Sequence, residues 1–104
     1  MLRSRYTKIL TEAKAAAYLS IAHELGLTLT GIDTAAYDTA SVLKNDAKAE
    51  VLLDVAIAHY KQLIYTWLGV AADGKYTENA LRQLRLRCQE AVQSWRRTVV
   101  KTDK

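Results

Sequence analysis

Apolar residues recur at helical spacing in three long segments of this chain, and glycines punctuate the ends of the first two. In the first segment Tyr6, Leu10, Ala13, Ala17, Ile21 and Leu25 return every three or four positions. Such spacing lines one face of a helix, and Lys8, Glu12 and Lys14 fall away from that line. The predicted helix runs from Ser4 as N-cap to Leu25, with Gly26 where a left-handed C-terminal cap is wanted. Its contact face is narrow and rich in alanine, which lets a neighbouring helix approach closely.

Residues 27–32 alternate apolar and polar and read as an extended connector, too short and isolated to make a sheet. Asp33 or Thr34 then caps a short helix over 35–43, which Asn45 and Asp46 end. The next segment, 47–68, is the most apolar. Val51, Leu52, Leu53, Val55, Ala56, Ile57, Tyr60, Leu63, Ile64, Trp67 and Leu68 cover more than half of its circumference, leaving a thin polar strip centred on Glu50, Asp54 and Lys61. At about 33 Å long, this helix is expected at the centre of the fold. Its partners in so short a chain leave part of the arc uncovered, which points to contact with another subunit. The alternative is that the first and last helices cover it between them. Val51, Tyr65 and Trp67 are the candidate interface residues, and Tyr65, beside the polar strip, is the most informative of them.

Gly69 stops the helix, and residues 70–76 form a loop around an Asp73-Gly74 turn. Thr77 caps the last helix, with Glu78 set favourably against its dipole. Leu81, Leu84, Cys88, Ala91, Trp95 and Thr98 then follow the alternating spacing of a helix seam. The expected fold is all-α: a single domain over 1–104, a small bundle of three long helices and one short helix around an apolar central helix.

Composition agrees with this. The 104 residues are 50% hydrophobic and 25% charged, with no proline, which excludes a disordered chain and favours helix. A domain of this size buries only about two thirds of its unfolded surface. Asp54, His59, Lys61 and Gln62 interrupt the longest apolar stretch, so no membrane span is expected. The N-terminus carries Arg3, Arg5 and Lys8 but does not run into an apolar signal-like segment. With Cys88 the lone cysteine, an intracellular (cytoplasmic) or virion location is expected.

The net charge of +4 is unevenly distributed. Residues 1–14 carry four bases against Glu12, residues 15–74 three bases against seven acids, and residues 75–104 eight bases against three acids. Such polarity directs like subunits head to tail, or is a solvated surface. On the last helix Arg82, Arg85, Gln89, Gln93 and Arg96 recur on the side away from the seam, with Arg97 adjoining. Arg82, Arg85, Arg96 and Arg97 are therefore candidate contacts for nucleic-acid phosphates or an acidic partner. No helix-turn-helix, zinc finger or base-stacking platform accompanies them.

Catalytic chemistry has no positive support. His23 and His59 lie on different helices with no metal-ligand spacing. His59 is expected as a core histidine and His23 near the surface. Cys88, between Arg85, Arg87 and the seam, is expected to be buried and inert. The glycines form no phosphate-binding run. The expectation is a non-enzyme without metal or cofactor.

Residues 46–69 read Asp-Ala-Lys-Ala-Glu-Val-Leu-Leu-Asp-Val-Ala-Ile-Ala-His-Tyr-Lys-Gln-Leu-Ile-Tyr-Thr-Trp-Leu-Gly. This stretch resembles the long helix of tailed-phage head-tail connector (adaptor) proteins: an acidic start, leucine pairs, an aromatic, and a closing aromatic-Leu-Gly. The resemblance covers less than a quarter of the chain and extends to neither the first nor the last helix. It implies a homo-oligomeric ring beneath the portal that binds a portal or tail protein, without catalysis. A ring around a DNA channel gives the basic last helix a non-specific contact with DNA. The alternatives are a small nucleic-acid-binding regulator and a small inhibitor of a host protein.

Overall fold

The computed structural model describes residues 2–29 and 47–102. Three helices occur among them: α1 (Leu2–Glu24), α2 (Ala47–Leu68) and α3 (Glu78–Thr102). No strand is found among the described residues, so the protein is all-helical there. The short helix expected over 35–43, and the connector beyond Leu29, lie outside the described residues.

Local chemistry sets most of the boundaries. Gly26 adopts φ 69°, a left-handed conformation that costs a residue with a Cβ atom. There the Leu27 amide donates to the Ala22 carbonyl at 2.9 Å and the Gly26 amide to that of His23 at 3.0 Å. This pair of bonds is the Schellman cap, satisfying carbonyls that the helix end leaves open. Gly69, at φ 62°, also ends α2 in the left-handed conformation, its amide donating to the Tyr65 carbonyl at 3.2 Å. The Ala80 amide donates to Thr77 Oγ1 at 3.1 Å, so Thr77 caps α3 as its sequence predicts. The first boundary differs: α1 begins at Leu2, and Ser4 lies within the helix rather than capping it.

The helix at the centre is α1, not the apolar α2. It packs along both α2 and α3, which meet each other at only a few points. Ala13, Ala15, Ala17 and Ala22 are all 0% exposed, together with Ile21. Alanine places backbone close to backbone and forfeits little side-chain entropy, so a helix studded with it fits between two neighbours. The expected single narrow contact face is thus corrected to two buried faces. Glu12, expected to point away, is 2% exposed, while Tyr6, expected on the contact line, is 58% exposed.

The main core joins Tyr18, Ile21 and the alanines of α1 to Ile64 and Leu68 of α2 and to Leu84, Cys88, Val92 and Trp95 of α3. Trp95 is the largest of the fully buried side chains. Leu27 and Leu29, following the α1 cap, pack against this core and are half-buried. A second, smaller cluster joins Ile9 to Ala49 and Leu53 near the start of α2.

Candidate functional site

Helix α2 buries one side against α1, through Ala49, Leu53, Ile64 and Leu68. Because α1 takes the central place, the other side of α2 is left outside. Val51 is 63% exposed, Leu52 50%, Val55 65% and Leu63 51%. Lys48, His59, Gln62 and Thr66 are exposed on the same helix. His59 is therefore a surface residue and not the expected core histidine, and its ring stands edge-on to Tyr60 at 6.1 Å between centroids. His23 is exposed, as expected.

The three candidate interface residues separate. Val51 lies on the open face. Trp67 sits at its edge, 37% exposed, with the Arg87 guanidinium of α3 3.8 Å from its ring centroid. A cation at that distance is held by the quadrupole of the indole ring. Tyr65 is turned inward: half-buried, its ring lies against the main core and its hydroxyl donates to Glu24 Oε2 at the end of α1. Lys61 Nζ donates to the other carboxylate oxygen at 2.6 Å. Its hydrogen bonds from Lys61 and Tyr65 hold the Glu24 carboxyl below its ordinary pKa. The Glu24 carboxylate pushes Tyr65 up to about 12, with burial adding to the shift. Glu24 was not singled out from the sequence. The available signal was Lys61 and Tyr65 standing one turn apart, a pair of donors that one acid on a neighbouring helix can satisfy.

Between α1 and α3, with Tyr60 of α2 at its side, a groove of about 660 Å³ opens. Leu10 and Tyr18 of α1, Ala91 of α3 and Tyr60 of α2 give it apolar surface, and Thr11 and Ser94 add hydroxyls. Lys14, Arg87 and Arg97 supply positive charge around it and Glu90 the opposing negative charge. Of the four candidate arginines, Arg97 thus belongs to the groove. Arg82 and Arg85 are exposed near the start of α3 beside Leu86, which is 48% exposed, and Arg96 is half-buried.

Cys88 is fully buried, and burial pushes its thiol up to about 11. A thiol so placed is protonated and shielded at neutral pH. Among the described residues no three His, Cys, Asp or Glu side chains cluster in a way that could hold a metal ion. No described helix is long and apolar enough to cross a membrane.

No protein-family model, curated protein or solved structure matches this chain.

Proposed function

We propose that this protein is a non-enzymatic structural subunit that works by associating with further copies of itself, in the manner of a head-tail connector subunit of a tailed phage. The observation that carries the reading is the open face of α2, where Val51, Leu52, Val55 and Leu63 are each half or more exposed. Full burial of such side chains contributes roughly 1.5–3 kcal/mol apiece, so covering the exposed part returns roughly 1 kcal/mol for each. Several large apolar side chains exposed on one helix face, here interleaved with Lys48, His59, Gln62 and Thr66, mark a site of protein contact. A second copy is favoured as occupant by the charge distribution, since acids dominate residues 15–74 and bases dominate both ends.

The resemblance of residues 46–69 to connector helices supports the same reading and adds a portal or tail protein as the further partner. Light scattering on the eluting protein tests it. The expected result is a defined multimer of the wild-type chain and a loss of mass for Val51→Asp/Val55→Asp, whose changes fall on exposed positions. A wild-type protein with the mass of one chain at high concentration contradicts the proposal.

A second reading draws support from the exposure of Arg82, Arg85 and Arg97. On this reading the last helix meets nucleic-acid phosphates through charge alone. It predicts binding that weakens steeply with salt, with a shallower slope for Arg82→Ala/Arg85→Ala. Binding with the wild-type slope in that variant removes it.

A further inference from the structure

Two surfaces of this chain complement one another and cannot meet within one molecule. The first is a ridge on α2: Glu50 and Asp54, one helical turn apart and both exposed, flank Val51 and Val55, also one turn apart and exposed. The second is the groove over α1, where Leu10, Tyr18 and Tyr60 supply apolar surface and the three cations Lys14, Arg87 and Arg97 outnumber the one acid, Glu90. Tyr60 forms part of the groove, and helical geometry sets it half a turn from Val51, so the ridge points away from its own groove.

We infer that the ridge of one copy seats in the groove of the next. The inference rests on the self-association proposed above and specifies its mode. The valines meet Leu10 and Tyr60, and the two carboxylates meet Lys14 and Arg97. Among the described residues, a groove beside α2 and α3 and laid on α1 is the position that a fourth helix takes in a four-helix bundle. Ridge and groove are different patches, so the contact is heterologous. Each copy presents the groove on one side and the ridge on another, and the chain of contacts closes into a ring or runs on as a filament. Exposed charges on both sides make the contact sensitive to salt.

The test uses two full-length variants with surface charges reversed, Lys14→Glu/Arg97→Glu in the groove and Glu50→Lys/Asp54→Lys on the ridge, each checked for wild-type helix content by circular dichroism. Mass is measured by light scattering for the wild type, each variant and an equal mixture. The expected result is a wild-type multimer, a mass falling to one chain for each variant alone, and recovery of association when the two are mixed. A groove variant that associates like the wild type overturns the ridge-in-groove contact while leaving self-association standing, because a symmetric contact between two α2 faces does not use Lys14 or Arg97. Failure of the mixture to recover overturns it as well. A wild type with the mass of one chain removes both this contact and the proposed function.

Discussion

The Arg87 guanidinium stands 3.8 Å from the centre of the Trp67 ring, tying α3 to α2 where the two helices otherwise scarcely meet. A partly exposed cation–π pair contributes roughly 0.5–1 kcal/mol. Arg87→Ala is therefore expected to lower Tm by roughly 2–6 °C. It should also shift Trp67 emission to the red, while Trp95, 2% exposed, keeps its buried spectrum. Thermal melts and fluorescence check both, and an unchanged melt with an unchanged spectrum contradicts the account.

The Glu24, Lys61 and Tyr65 group predicts stability that falls at both ends of the pH range. The Glu24 carboxyl is held below its ordinary value of 4.5 when folded. Its contribution is present above that value and fades as pH drops through the lowered one. Tyr65 is raised from 10.0 to about 12, so its contribution is complete below pH 10.0 and is lost as pH climbs towards 12. Solvent screens the group, so the effects are modest. Melting curves against pH should show the alkaline loss shrink in Tyr65→Phe and the acid loss shrink in Glu24→Gln. Wild-type pH profiles in both variants contradict the assignment.

The elements were more legible than their arrangement. The bounds of α2, the Gly26 cap and the Thr77 cap follow from local rules, because a glycine or threonine at a helix end acts within one turn. Which helix stands at the centre did not follow. Mean apolarity pointed to α2, whose leucines and valines outweigh the alanines of α1. Packing favours the helix with the thinnest side chains, so Ala13 and Ala17 went inside while Leu52 and Val55 stayed out. Misplacing the centre also misplaced His59 and Glu12. The exposure of Val51 was legible in the width of the α2 apolar arc, though that arc was expected around a central helix and its full coverage by the other helices stood as the alternative. The groove was not, because it depends on how α1, α2 and α3 pack together, which no local pattern encodes.

If alanine is what fits α1 between its neighbours, enlarging it is costly. Ala17→Leu should overpack the core and destabilise by roughly 1–3 kcal/mol or more, and Trp95→Ala should cost roughly 3–5 kcal/mol through the cavity it leaves. Urea unfolding measures both. An Ala17→Leu protein as stable as the wild type places α1 elsewhere.

Cys88, buried and raised to about 11, should resist alkylation at neutral pH until the fold opens. Iodoacetamide labelling followed by mass spectrometry is expected to be slow in the native protein and rapid in denaturant. Native labelling at the rate of a free thiol excludes this core position for Cys88.

That slow thiol also permits the most direct test of the α2 face. A Val55→Cys protein carries one reactive cysteine on the face proposed to be covered by another copy. Its maleimide labelling rate should fall as protein concentration rises, while Cys88 stays unlabelled throughout. A rate at position 55 that equals that of a free thiol at every concentration contradicts the central claim.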